Sequence, residues 1–96
     1  MHAELRSYTG KGAKELFDLL EKKKAEVEKE MRTTKGFVSY TLARTADGGF
    51  SITVCNDKAG VDDSLKKAKE WIAKNATGIS VNPPVVTEGP VLVHMK

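Results

Sequence analysis

At 96 residues the chain has room for one domain around one core, and 40% hydrophobic with 30% charged residues is ordinary globular composition. The net charge of +3 comes from 16 basic and 13 acidic side chains that are mostly interleaved, which speaks for solubility and against a nucleic-acid footprint. A lone cysteine excludes an internal disulfide and a CxxC metal or redox site, and no apolar run approaches the roughly 18 residues of a membrane span. The start, Met-His-Ala-Glu-Leu-Arg, lacks the apolar centre of a signal peptide, so the expectation is a cytoplasmic protein with no membrane partner and a buried thiol at Cys55.

From His2 to Thr9 the residues alternate as in a strand, with Ala3, Leu5 and Ser7 on one side and Glu4, Arg6 and Tyr8 on the other. Gly10-Lys11-Gly12 breaks it. A helical pattern then runs from Ala13 to about Arg32, its stripe formed by Leu16, Phe17, Leu20, Val27 and Met31 and interrupted by Lys23 and Lys24. Those lysines either point into a pocket or lay their stems along the core edge.

Gly36 to Asp57 is a hairpin around Asp47-Gly48-Gly49. A three-residue turn is expected there, because it gathers Val38, Tyr40, Leu42, Phe50, Ile52 and Val54 on one face. Ser39, Thr41, Ser51, Thr53 and Cys55 then fall on the other. A second helix is expected from about Val61 to Asn75, with Asp62 and Asp63 at its positive end and Gly78 after it. Asn82-Pro83-Pro84 reads as an extended loop, and Val85 to Met95 as a last strand broken at Gly89-Pro90.

The order is β-α-β-β-α-β in a single domain over residues 1–96. The expected fold class is α+β and ferredoxin-like, a four-stranded antiparallel sheet with both helices on one face. The helices are expected over Leu5, Tyr40, Leu42, Ile52 and Val54, leaving Glu4, Arg6, Tyr8 and the small polar residues on the uncovered face.

With Gly36-Phe37-Val38-Ser39-Tyr40, the Asp47-Gly48-Gly49 turn, Asn56-Asp57 and the Ser64 to Trp71 segment in place, the chain resembles the dimeric α+β barrel superfamily. That group includes antibiotic-biosynthesis monooxygenase-like and stress-responsive domains. The resemblance implies a homodimer whose sheets face each other, with a pocket between each sheet and its helices. Its members oxidise polycyclic phenols without a cofactor, degrade haem, or have no known activity. Haem-degrading members pair a second-helix tryptophan, as Trp71 would be, with a first-strand asparagine and a nearby histidine. Here Arg6 and Ser7 stand in the first strand, and no histidine lies between Trp71 and Pro84.

The candidate ligand-binding residues are therefore Trp71, Tyr40, Arg44, Arg6, Tyr8 and His94, and no cofactor is implied. Trp71 either stacks on an aromatic ligand or closes the core, and Tyr40 either donates to a ligand or to a structural partner. Arg44 sits near the hairpin tip. His94 and His2 lie near the ends of neighbouring strands, but no third residue completes a metal set, so no metal site is expected. Cys55 has no basic neighbour in sequence to activate it. Thr9-Gly10-Lys11-Gly12 lacks the spacing of a phosphate loop.

The expected partners are a second copy of the chain and a small apolar or aromatic molecule. Whether the domain is a monooxygenase-like enzyme or a non-catalytic dimerisation module is open at this level. An RNA-binding module shares the element order, but Gly48-Gly49-Phe50-Ser51-Ile52 only faintly echoes its aromatic strand.

Overall fold

Glycine spacing and the run of β-branched and aromatic residues produce the strands where alternation predicts them. These are β1 (His2–Tyr8), β2 (Phe37–Thr45), β3 (Gly48–Cys55) and β4 (Val85–Pro90). The computed structural model describes residues 1–96, and no helix in it is long and apolar enough to cross a membrane. All strand pairs are antiparallel, in the order β2-β3-β1-β4. Three helices, α1 (Ala13–Lys22), α2 (Lys24–Arg32) and α3 (Lys58–Asn75), complete a ferredoxin-like α+β domain.

The expected single helix from Ala13 to Arg32 is two. Lys23 leaves helical geometry (φ −109°, ψ 26°), its N–H still bonded to the Leu19 carbonyl while its own carbonyl starts α2. Six residues without a core anchor separate Leu20 from Val27, three of them consecutive lysines, so nothing holds that turn against the sheet. At the other helix, α3 begins earlier than expected because Asp57 caps it, its side chain accepting from the Gly60 N–H at 3.1 Å. The last strand ends at Pro90, short of Met95.

The hairpin corrects the expected register. Thr45 pairs with Gly48 and Arg44 with Gly49, so the loop is the two residues Ala46 and Asp47. Both glycines lie inside β3 because their missing side chains make room: a Cβ on Gly49 would overlap the Phe17 ring, and one on Gly48 the Tyr8 carbonyl. Leu42 consequently faces Ser51, Tyr40 faces Thr53, and Thr41 faces Ile52. A register shift between Phe37 and Ser39 absorbs Val38 and puts Phe37 opposite Cys55.

The sheet faces are corrected with it. Glu4, Arg6 and Tyr8 lie under the helices with Tyr40, Leu42, Ser51 and Thr53. Leu5 and Ile52, each 38% exposed, are neighbours on the uncovered face with Phe50 and Val85. The expectation that apolar side chains claim the helix side fails because Arg6, Ser51, Thr53 and Ser64 bond to one another there. Arg6 donates to Ser51, Thr53 and Ser64, so burying them leaves few unmet hydrogen bonds. The apolar core lies between α1, α2 and the sheet around Tyr8, Leu16, Phe17, Leu20, Val27 and Met31. Tyr8 and Phe17 meet edge to face, centroids 5.9 Å apart.

Candidate functional site

A concavity lies where the first helix splits. A cleft with a cavity volume of about 350 Å³ opens between α1, α2 and β2, floored by Phe17, Leu20, Val27, Met31, Phe37, Tyr40 and Leu42. Charged side chains ring its mouth. Arg44 reaches from the end of β2 to Asp18 and Glu21 of α1 and to the Lys14 carbonyl, which ties the hairpin to the helix. The hydrogen bond to Asp18 raises the pKa of a guanidinium that is always charged at physiological pH. Arg32 is paired with Glu28 at 2.9 Å, and Lys24 lines the same mouth.

Beneath the cleft lies a smaller cavity of about 30 Å³, lined by Arg6, Tyr8, Tyr40, Ser51 and Trp71 among others. Five residues line both hollows: Leu20, Val27, Met31, Tyr40 and Leu42. The inner space is roomy enough to hold a water. Burial pushes the pKa of Tyr8 and of Tyr40 above the usual phenol value, against the opposing pull of Arg6. Both are therefore neutral hydroxyls, able to donate.

Arg6 is 1% exposed and bonded by Nε to Ser51 Oγ (3.2 Å), by Nη1 to the Ser64 carbonyl (3.4 Å) and by Nη2 to Thr53 Oγ1 (3.2 Å) and Ser64 Oγ (3.4 Å). Its only close negative charge is Glu4, fully buried, with Oε1 at 3.3 Å from Nε. Neither carboxylate oxygen of Glu4 has a hydrogen-bond partner. Burial pushes this carboxyl above its ordinary pKa, with Arg6 pulling the other way.

Of the six candidate residues, Arg6, Tyr8, Tyr40 and Trp71 converge on the inner cavity, and Tyr40 and Arg44 line the outer cleft. Trp71 also packs against the core, so it both closes the core and borders a hollow. His94 lies in the tail beyond β4 and lines neither hollow. His2 contacts Glu88 at 2.9 Å, and no group of three metal-ligating side chains is present. Burial raises the pKa of the Cys55 thiol, as its apolar flanks suggest. Sequence reasoning missed Glu4 as the companion of Arg6. The usable signal was two opposite charges on one face of a strand beside serine and threonine; what the sequence did not show is that the helices cover this face.

Architecture of this kind is shared with several solved structures. A protein of unknown function from Nitrosomonas europaea superimposes with a TM-score of 0.71 at 18% identity, over 99% of this chain and 91% of that one. A dimeric ferredoxin-like protein from an uncultured marine organism gives 0.62 at 12% identity, over 99% and 95%. The chain has their ferredoxin-like fold. SnoaB, a cofactor-independent oxygenase from Streptomyces nogalater, superimposes at 0.61 with 19% identity, over 98% of this chain and 95% of that one. These ferredoxin-like neighbours bear out the expected fold class and place the resemblance to antibiotic-biosynthesis monooxygenase-like proteins at the level of architecture. No protein-family model and no curated protein matches the sequence.

Proposed function

We propose that this protein is a homodimer whose helix–sheet cleft binds a small apolar or aromatic molecule. The observation that carries it is the cleft: about 350 Å³, floored by aromatic and aliphatic side chains and rimmed by a few charges, the usual make-up of a small-molecule site. Of the five residues that line both hollows, Tyr40 is the one with a hydroxyl to offer a ligand. Trp71, Tyr8 and Arg6 offer an aromatic wall and polar donors at depth, while Arg44 orders the mouth. Self-association is supported by the apolar uncovered sheet face and by the dimeric ferredoxin-like neighbour.

A cofactor-independent, monooxygenase-like activity on such a molecule is the finer form of the proposal, supported by the oxygenase among the fold neighbours. Its check is oxygen uptake with an electron-rich polycyclic phenol. Binding without uptake leaves a carrier or dimerisation module.

Binding itself is tested with 2-acetylnaphthalene, a neutral flat probe, followed through Trp71, the single tryptophan. Saturable quenching is expected, and Tyr40→Ala should weaken it about tenfold, the scale of one aromatic contact. No saturable change, or equal affinity in the variant, would remove this cleft as the site.

A further inference from the structure

Arg6 is a permanent cation under the helices, and four of its five N–H groups go to neutral acceptors: three hydroxyls and one carbonyl. Glu4 supplies the balancing charge by proximity alone, at 3.3 Å and without a hydrogen bond to either oxygen. A buried pair of this kind recovers less of its desolvation cost than a fork-to-fork pair. Arg6 meanwhile lines the inner cavity, together with Tyr8 and Tyr40 and behind the wall shared with the cleft. Met31, an unbranched and adaptable side chain, belongs to that wall.

We propose that Arg6 is an anion subsite with an exchangeable counter-ion: the carboxylate of an aromatic acid seated in the cleft reaches Arg6 through the inner cavity, and Glu4 takes up a proton from solvent. The charge balance closes. Before binding, Arg6 is neutralised by ionised Glu4; afterwards it is neutralised by the ligand, and Glu4 is a neutral acid. The proposal deepens the cleft assignment and rests on it, and it narrows the ligand class to flat apolar bodies that end in a small oxygen anion.

The surroundings of Glu4 favour the exchange. Facing it are Arg6 and His2 from β1, Glu88 from β4, Cys55 from β3, and Lys58 and Asp62 from α3. Burial pushes the carboxyl up, and Glu88 and Asp62 add to that against Arg6 and Lys58. A second anion beside Arg6 pushes it further the same way, so Glu4 is the group that yields its charge.

The experiment is isothermal titration of 2-naphthoate and 2-acetylnaphthalene in buffers of different ionisation enthalpy, with wild type and Glu4→Gln. Naphthoate is expected to take up a proton on binding, approaching one per site, and to lose affinity by about tenfold per pH unit across the range where that uptake is complete. The ketone should take up none. Glu4→Gln should bind naphthoate without proton uptake and without the pH slope.

Naphthoate binding that takes up no proton in wild type overturns the proposal, as does uptake retained in Glu4→Gln, which would assign the proton to a neighbour such as His2. If Glu4→Gln does not fold, the contrast between the two probes on wild type decides. Binding of the ketone but not of naphthoate refutes counter-ion exchange while the cleft stands. Failure of both probes refutes the cleft as well.

Discussion

Gly49 carries a steric demand that its place beside a turn conceals. The Phe17 ring lies where its side chain would be, and Phe17 in turn meets Tyr8 edge to face, so one hydrogen at Cα supports the junction of α1, β1 and β3. Gly49→Ala is expected to force ring or strand to shift, at about 1–3 kcal/mol. Thermal denaturation checks this, with a fall in Tm of about 4–8 °C per kcal/mol for a domain of this size. The Asp-Gly-Gly motif was visible in the sequence, but its meaning was not. Glycines before a strand suggest a turn, whereas these two sit in the strand because a ring and a carbonyl approach it. The same missing information inverted the sheet. Whether Arg6 can be buried depends on Ser51, Thr53 and Ser64 meeting it from two other elements, and alternation within β1 contains none of that.

Elements, by contrast, were legible wherever local chemistry decides them. The strand from His2, the break at Gly10 to Gly12 and the helix that carries Trp71 follow from alternation, glycine and a 3.6-residue stripe. Boundaries shifted where a cap or a missing anchor took over. The start of α3 belongs to Asp57, whose carboxylate receives the Gly60 N–H. Asp57→Ala should cost about 1 kcal/mol, and Asp57→Asn should recover most of it. Chemical denaturation with an unchanged m-value would confirm a local cap; a changed m-value would show that α3 detaches in the native state. Gly60 adds a second constraint nearby, since a Cβ there would strike the Lys35 carbonyl and Cys55, so the first turn of α3 lies hard against β3.

On the scale of the whole molecule, the sheet hides its polar residues and displays its hydrocarbon. Leu5 and Ile52 stand side by side at 38% exposure with Val85 at 68%, and Leu92, Val93 and Met95 of the tail are more exposed still. Fully burying one such side chain is worth about 1.5–3 kcal/mol, so a second copy on this face would gain from several at once. Ile52→Glu is accordingly expected to shift the protein from dimer to monomer in sedimentation velocity, with the cleft on the opposite face left able to bind 2-acetylnaphthalene. A wild type that sediments as a monomer at high concentration would end the homodimer proposal. The candidate site was legible as a set of residue types, since four of the six named side chains meet at one cavity. Its location was not, because the cleft lies where α1 and α2 part at Lys23, a break that the stripe of apolar residues does not announce.

That break has a consequence for how such a site can change over generations. Helix α2 is fastened at its C-terminal end, where Lys67 donates to the Thr33 hydroxyl at 2.8 Å and to its carbonyl at 3.2 Å, and its N-terminal end follows α1 through the non-helical Lys23. This nine-residue rod thus forms a wall of the cleft and enters the core through two buried side chains, Val27 and Met31. Substitutions at Lys24, Glu28 or Arg32 alter the charge at the cleft's mouth while those two core anchors keep their packing. Appetite for different guests can drift in one short segment, leaving the rest of the scaffold untouched.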